Sequence, residues 1–429
     1  MQPPKKRAPM PASNPRPFSV AAALLMAGTC LAGDLFQFNG NSTDGTPSVE
    51  FNRGASSLPD AISDLIKGSG AFSDLQNRSF QADLQYGGVA TALQFSIQQD
   101  GPEWYAQLLS PFDHSVINQT FNAPSRAELE QQIKDYLEKS GMKDLARFLA
   151  AMNKKSIAGS LDGNPVAATA VSANAYFNQY GLRSTSTFSE AEAEDSGEET
   201  SRAGFEMTAE AGVFQSQGLT GQTYSWTPVI PVTLGKSRRV RLEFALPMNW
   251  TILEGADQFR AGSQLGVAVL IKKRTKDQPW LWQVTPHAGV MVSGSFDLIA
   301  GGLLASGGGT SYLSYRWHEW EFSMGNHISF HEGMALDIEA YRFDPDVSQQ
   351  IVKNGLKVGR SLGKNWYVEA YVVDTEFLQD AFVQRYLTVG AGVGYRGSQR
   401  RGYLMVGGYG TFGEEFSAAQ LQFGTGWKF

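Results

Sequence analysis

Residues 320–330 read Trp-Glu-Phe-Ser-Met-Gly-Asn-His-Ile-Ser-Phe, and this stretch decides the fold. Trp320, Phe322, Met324, Ile328 and Phe330 fall on one parity; Glu319, Glu321, Ser323, His327, Ser329 and His331 fall on the other. A period of two belongs to a β-strand, whose successive side chains point to opposite faces. Residues 240–250 repeat the pattern. Val240, Leu242, Phe244, Leu246, Met248 and Trp250 alternate with Arg239, Arg241, Glu243, Ala245 and Asn249. Weaker alternation runs through 224–234, 265–271, 282–292, 334–340, 366–372 and 383–395.

An apolar face of this kind suits either a half-buried sheet in a secreted β-sandwich or a wall facing lipid. Two features favour lipid. The apolar faces carry aromatics near their ends (Trp226, Trp250, Trp282, Trp317, Trp366, Tyr395), as interfacial girdles require. The segments are also about ten residues long, the length a tilted strand needs to cross a bilayer. Composition agrees. The 429 residues include 46 Gly and 12% aromatics, and only 18% are charged, below the roughly 25% of a soluble domain. The net charge of −6, with no basic block beyond the N-terminus, argues against nucleic acid as a partner.

The end of the chain adds a resemblance. Leu421, Phe423, Trp427 and Phe429 share one face, opposite Gln422, Gly424, Gly426 and Lys428. This resembles the C-terminal signature of bacterial outer-membrane β-barrels, in which a terminal aromatic strand is recognised by the barrel-insertion machinery. The likeness is close over the last nine residues and general over 204–429. It implies a mainly β fold with a C-terminal antiparallel transmembrane barrel. The alternating segments count between 12 and 14 strands; barrels of this kind favour even numbers, so about 12 are expected, with 10 and 14 as the alternatives. The resemblance also implies outer-membrane lipids and the insertion machinery as partners.

Ahead of the barrel, three segments differ in composition. Residues 1–33 read as a signal peptide: Lys5, Lys6 and Arg7 precede an apolar run too short to span a bilayer as a helix. The only cysteine, Cys30, lies within it. Ala27-Gly28-Thr29 is a poor lipidation motif, so cleavage is favoured over lipidation. Residues 34–183 read as a small α+β domain, periplasmic or plugging the lumen, with strands expected near 78–89, 90–99, 103–109 and 116–121. Ser125 stands three residues before Glu128, a capping-box spacing that starts a helix ending at Gly141. Further helices are expected over 143–153 and from the Asn164-Pro165 turn to about Tyr180. Residues 184–203 are rich in Ser, Thr and Glu and read as an acidic flexible linker.

On the lumen parity stand Arg239, Arg241, Glu243, Glu319, Glu321, His327, His331, Asp337, Glu339, Lys357 and Glu369. They fit either a charged eyelet or a set of ion pairs that fills the barrel. His327, Ser329 and His331 superficially resemble the His/Ser pairs of certain outer-membrane lipases and deacylases. Here parity points them inward, and neighbours on one strand face sit about 7 Å apart. No catalytic residues are assigned, and two His residues without a third ligand assign no metal. Gly301-Gly302 and Gly307-Gly308-Gly309 read as turn glycines, since a phosphate loop would need a Lys and a following helix. No cofactor is implied.

The leading functional expectation is a pore for small solutes gated by the N-terminal domain, which could also bind a periplasmic protein. A second is a translocator or surface anchor for that domain. Autotransporter barrels resemble this in their C-terminal position and about 12 strands, although the passenger here is short and lacks β-helical repeats. The third is an outer-membrane lipid hydrolase.

Overall fold

The computed structural model describes residues 35–428, apart from 45–48, 56–57, 112–115, 137–143, 145–146, 149–150, 153, 183–202, 236–237, 276, 296–299, 335, 339–340, 344–346 and 398–401. The expected signal peptide, nearly all of the expected acidic linker, Glu339 and Phe429 therefore lie outside the described residues.

The wall comprises β7 (Gly204–Ser216), β8 (Leu219–Leu234), β9 (Val240–Ala245), β10 (Met248–Leu253), β11 (Ala256–Lys272), β12 (Trp280–Ser295), β13 (Ala300–Trp317) and β14 (Trp320–Met334). After a small excursion come β17 (Ser348–Leu362), β18 (Trp366–Phe377), β19 (Arg385–Arg396), β20 (Gly402–Gly413) and β21 (Phe416–Lys428). Apart from β9 and β10, each pairs antiparallel with the next, and β21 returns to β7 from Phe416↔Ser216 to Lys428↔Gly204, closing the ring. β9 and β10 are halves of one strand, since both lie between β8 and β11. The closed barrel thus has 12 strands. Pro247, which cannot donate to the ladder, separates the halves, yet Ala245 and Asn249 stay inward while Phe244, Leu246 and Trp250 stay outward.

Parity holds around the wall. Phe322, Met324, Ile328 and Phe330 are exposed on the outer surface, and Glu321, Ser323, His327 and Ser329 are buried inside. Trp280, Trp317, Trp320, Trp366, Tyr395 and Trp427 are exposed near one rim, the rim that also holds the start of β7 and the end of β21. We call this the terminal mouth and its opposite the distal mouth. Of the residues expected to form an insertion signal, Leu421, Phe423 and Trp427 all face outward.

Two expectations fail. Gly301, Gly302 and Gly307–Gly309 lie within β13, the longest strand, and not in turns. A barrel wall tolerates glycine where two surfaces meet closely: a Cβ on Gly308 would fall 2.9 Å from Ser329 Cα and 3.0 Å from the His287 ring. The alternation at 334–340 likewise does not continue the wall. Residues Leu336–Ile338 (β15) and Tyr341–Phe343 (β16) form a separate two-stranded hairpin beyond the distal mouth, between β14 and β17.

The N-terminal domain is a six-stranded antiparallel sheet of β1 (Phe36–Ser42), β2 (Glu50–Ala55), β3 (Phe80–Tyr86), β4 (Val89–Asp100), β5 (Glu103–Leu109) and β6 (Asn118–Ala123), in the order β2-β1-β3-β4-β5-β6. Its inner face packs against α1 (Leu58–Lys67) and α2 (Arg126–Asp135). The capping box forms as expected, with Ser125 Oγ accepting from Glu128 N. Most of the helix expected over 143–153 falls on residues that are not described.

Arg126 ties α2 to the sheet. Its guanidinium donates to Arg78 O (2.7 Å) and Ile66 O (2.9 Å), pairs with Glu130 (3.3 Å), and lies over the Trp104 and Phe80 rings. Arg126→Met would leave two buried carbonyls unsatisfied. The expected loss is about 2–4 kcal/mol of domain stability, with the barrel's heat-modifiable gel shift unchanged. Urea unfolding followed by tryptophan fluorescence checks this.

Candidate functional site

The apolar core of the N-terminal sheet does not end at the domain boundary. Phe36, Tyr86 and Phe148 belong to one continuous buried cluster with Phe214, Leu253, Phe377, Val383 and Phe416. These wall residues all sit at the distal mouth, next to the turns joining β7 to β8, β10 to β11, β18 to β19 and β20 to β21. The domain therefore caps the mouth opposite the barrel's own termini.

From that cap the chain turns into the lumen. Ser156 Oγ donates to Gly87 O, and Asn164 closes the turn at the mouth, donating to Gly159 O and accepting from Val166 N. The Asn164-Pro165 turn then starts α3 (Ala168–Tyr180), the third expected helix. It lies inside the barrel, against β11, β12, β13, β14 and β17. Small residues suit a helix enclosed on most sides: Ala168, Ala170 and Ala173 are fully buried.

The wall is shaped to receive the helix. At Gly266, Gly289, Gly325 and Gly355, on four of those strands, α3 and the residues after it approach so closely that a Cβ would lie within 3 Å of them. A Cβ on Gly289 would lie 2.5 Å from the Tyr176 hydroxyl, and one on Gly355 would lie 2.8 Å from the Phe177 ring. On Gly266 it would collide with the Tyr180 ring, and on Gly325 with the backbone of Gly181.

Polar groups then lock the segment in register. Arg260, completely buried, donates to Ser160 O and to Asn249, Thr251 and Gln258 of the wall. Gln264 reaches Ser172, Gln349 reaches Asp162, Gln179 reaches Glu243 (2.8 Å) and Lys357 reaches Leu182 O (3.2 Å). Tyr176 stacks on His287 with ring centroids 3.8 Å apart, and its hydroxyl meets Ser306 Oγ.

Seven of the eleven expected lumen residues are brought inside: Arg241, Glu243, Glu321, His327, His331, Lys357 and Glu369. Their charges are paired, Arg241 with Glu243, Arg274 with Glu321 (3.0 Å), and Lys357 with Glu369 (3.7 Å). Arg239 and Glu319 are exposed in turns at the terminal mouth, where Glu319 pairs loosely with Arg360. A turn at the end of a strand has no fixed parity, and that is why both escape the lumen. Asp337 lies in the β15–β16 hairpin. Arg260, Arg274, Glu210 and Lys353 were not singled out from the sequence. Once β11 and β17 are assigned, parity alone places Arg260 and Lys353 inside.

The His/Ser group is closer than strand spacing suggests. His331 Nε2 lies 2.9 Å from Ser329 Oγ, because the side chains lean together although their Cβ atoms are one face-repeat apart. His331 Nδ1 has no partner among the described residues, so none of their acids orients the ring as a hydrolytic triad requires. The pair is buried inside the barrel, away from lipid. His327 bonds Thr310 and stacks on His287. Among the described residues no group of three or more His, Cys, Asp or Glu is placed to hold a metal ion.

Beside α3, against β7, β8 and β18–β21, the lumen retains a cavity of about 160 Å³. Glu210 projects into it, with its oxygens taken by Tyr409, Ser225, Gln422 and Asn178. Lys353 faces the same space.

No protein-family model matches the chain, and no curated protein is similar to it in sequence. Among solved structures, the β domain of the Bordetella autotransporter BrkA aligns at 12% identity and a TM-score of 0.40, covering 53% of this chain and all of that one. The translocator domain of the autotransporter NalP from Neisseria meningitidis aligns at 12% identity and a TM-score of 0.41, covering 61% of this chain and all of that one. An outer-membrane channel from Pseudomonas putida F1 aligns at 9% identity and a TM-score of 0.37, over 54% of this chain and 97% of that one. The chain is a closed antiparallel β-barrel with an apolar outer surface.

Proposed function

We propose that the barrel is an outer-membrane anchor that carries its own N-terminal domain to the cell surface and holds it there. One observation carries this reading: the chain's path. The domain caps the distal mouth, residues 156–182 descend through the lumen, and the wall begins at the terminal mouth. Barrels of this class carry short turns on the periplasmic side and longer loops outside. The longest connection in the wall, from Met334 to Ser348, lies at the distal mouth. That supports an extracellular distal mouth and a periplasmic origin for β7.

A gated solute pore, the first expectation from sequence, keeps one observation in its favour: the cavity beside α3. Against it stand a lumen crossed by a helix and three buried ion pairs.

Protease treatment of intact cells producing the full chain separates the two. A displayed domain is cut without permeabilisation, leaving a protected fragment close to the size of 156–429, the lumen segment together with the wall. If the domain resists until the outer membrane is opened, it faces the periplasm and the display reading is wrong.

A further inference from the structure

The sheet of the N-terminal domain has one face against α1 and α2 and the other turned to solvent, and register sets out the second face in rows. Glu50, Asn41, Gln81, Ser96, Gln107 and Thr120 stand side by side across all six strands. Asn52, Asn39, Asp83, Gln94, Leu109 and Asn118 form the row beside it. All of them are exposed or half-buried. On the other side of the first row, Gln98, Tyr105 and Asn122 continue the pattern on β4, β5 and β6. Tyr105 is held in place by Glu103, to which its hydroxyl donates at 2.7 Å.

Strand propensity does not account for this face. Asn is among the residues depleted in strands, and Thr is among those enriched there. Nor do the amides support one another, since among the described residues no hydrogen bond joins the side chains of either row. A local preference broken across a whole face with no structural gain marks a functional surface. The chemistry then limits the partner. No Lys or Arg stands in either row, so phosphates and nucleic acid meet no counter-charge. Leu109 is the only apolar side chain in them, whereas the centre of a protein interface is apolar and aromatic. An amide carries two donors and an acceptor oxygen, which complements the hydroxyls of a sugar, each both donor and acceptor. Neighbouring strands set the groups of a row about 4.8 Å apart, so the same contacts repeat along a line.

We propose that this face binds a neutral, extended polysaccharide chain laid along the two rows, with the amides on its hydroxyls and the Tyr105 ring against the face of a sugar. Glu50 and Asp83, the only charges in the rows, turn away uronate-rich polymers. The place of this binding at the cell surface rests on the display reading above. The binding itself belongs to the folded domain in either orientation of the barrel.

The test uses the full chain folded in lauryldimethylamine oxide, because alkyl glycoside detergents would compete. Calorimetric titration with cellohexaose, mannohexaose and chitohexaose is expected to show saturable binding of at least one, and none of hexagalacturonate. Asn39→Thr combined with Gln94→Thr removes two amides of one row at solvent-facing positions. Binding is expected to fall about tenfold or more. The unfolding temperature should hold or rise, since Thr suits a strand better than Asn does. Absence of saturation with all three neutral probes overturns the proposal, as does equal affinity in the double variant. An oligomer that dissociates in the double variant, without glycan binding, also overturns it and assigns the face to a second copy of the chain. Glycan binding by a domain that resists protease on intact cells upholds this inference and removes the display reading; a domain that is cut but binds no probe does the reverse.

Discussion

Substituting valine at both Gly266 and Gly325 is expected to turn the closed barrel into a conducting one. At Gly325 the added carbon meets the backbone of Gly181, and at Gly266 it meets the Tyr180 ring. A side chain can rotate away from an intruding methyl group, but a backbone carbonyl cannot. Overpacking costs typically about 1–3 kcal/mol per site, and here the cheapest relief is for α3 to leave. The wall itself keeps its register, because strands accept valine readily and these positions point inward. In planar bilayers the wild type should pass little current through the space left beside the helix. The double variant should show discrete steps several-fold larger, at an unchanged heat-modifiable shift. Equal conductance in the two proteins would mean that α3 does not occlude the lumen.

That experiment addresses the part of the molecule the sequence reads least well. The wall was legible because lipid outside and polar groups inside impose a two-residue period, and residues 320–330 display it with a single break at Asn326. The capping box at Ser125 was legible because it is local. β13 was not: a strand with Gly301, Gly302 and three consecutive glycines at 307–309 carries too few side chains to show a parity. The destination of α3 was hidden for another reason. Its run of alanines, amides and tyrosines marks a helix but not its surroundings, since a helix in a polar lumen needs no apolar stripe. Only the matching glycines of the wall reveal it, and they lie on four strands between positions 266 and 355, so they converge only after the barrel closes. The site residues divide in the same way. Parity put Glu321, Lys357 and Glu369 inside, but whether they line a path or pair with one another depends on neighbouring strands.

Lys357 decides that last question energetically. Its ammonium sits 3.7 Å from Glu369 and donates to Leu182 O, the end of the lumen segment, and all of this is buried. In an ion-selective eyelet, Lys357→Met would change selectivity and leave stability nearly intact. In a packed lumen the same change removes the cation nearest the Glu369 carboxylate, leaves it facing the like charge of Glu321 with only Arg396 to offset it, and frees the Leu182 carbonyl. Breaking one side of a buried pair costs about 3–5 kcal/mol, because the remaining charge is uncompensated. Lys357→Met is therefore expected to lower denaturant stability by that amount and to loosen the plug. Lys357→Met combined with Glu369→Gln removes both charges, and should recover much of the loss despite carrying one more substitution. Such non-additivity identifies a pair that acts as a unit. Additive losses, or stability left intact in the single variant, would return these charges to the role of an eyelet and move the functional reading back toward a pore.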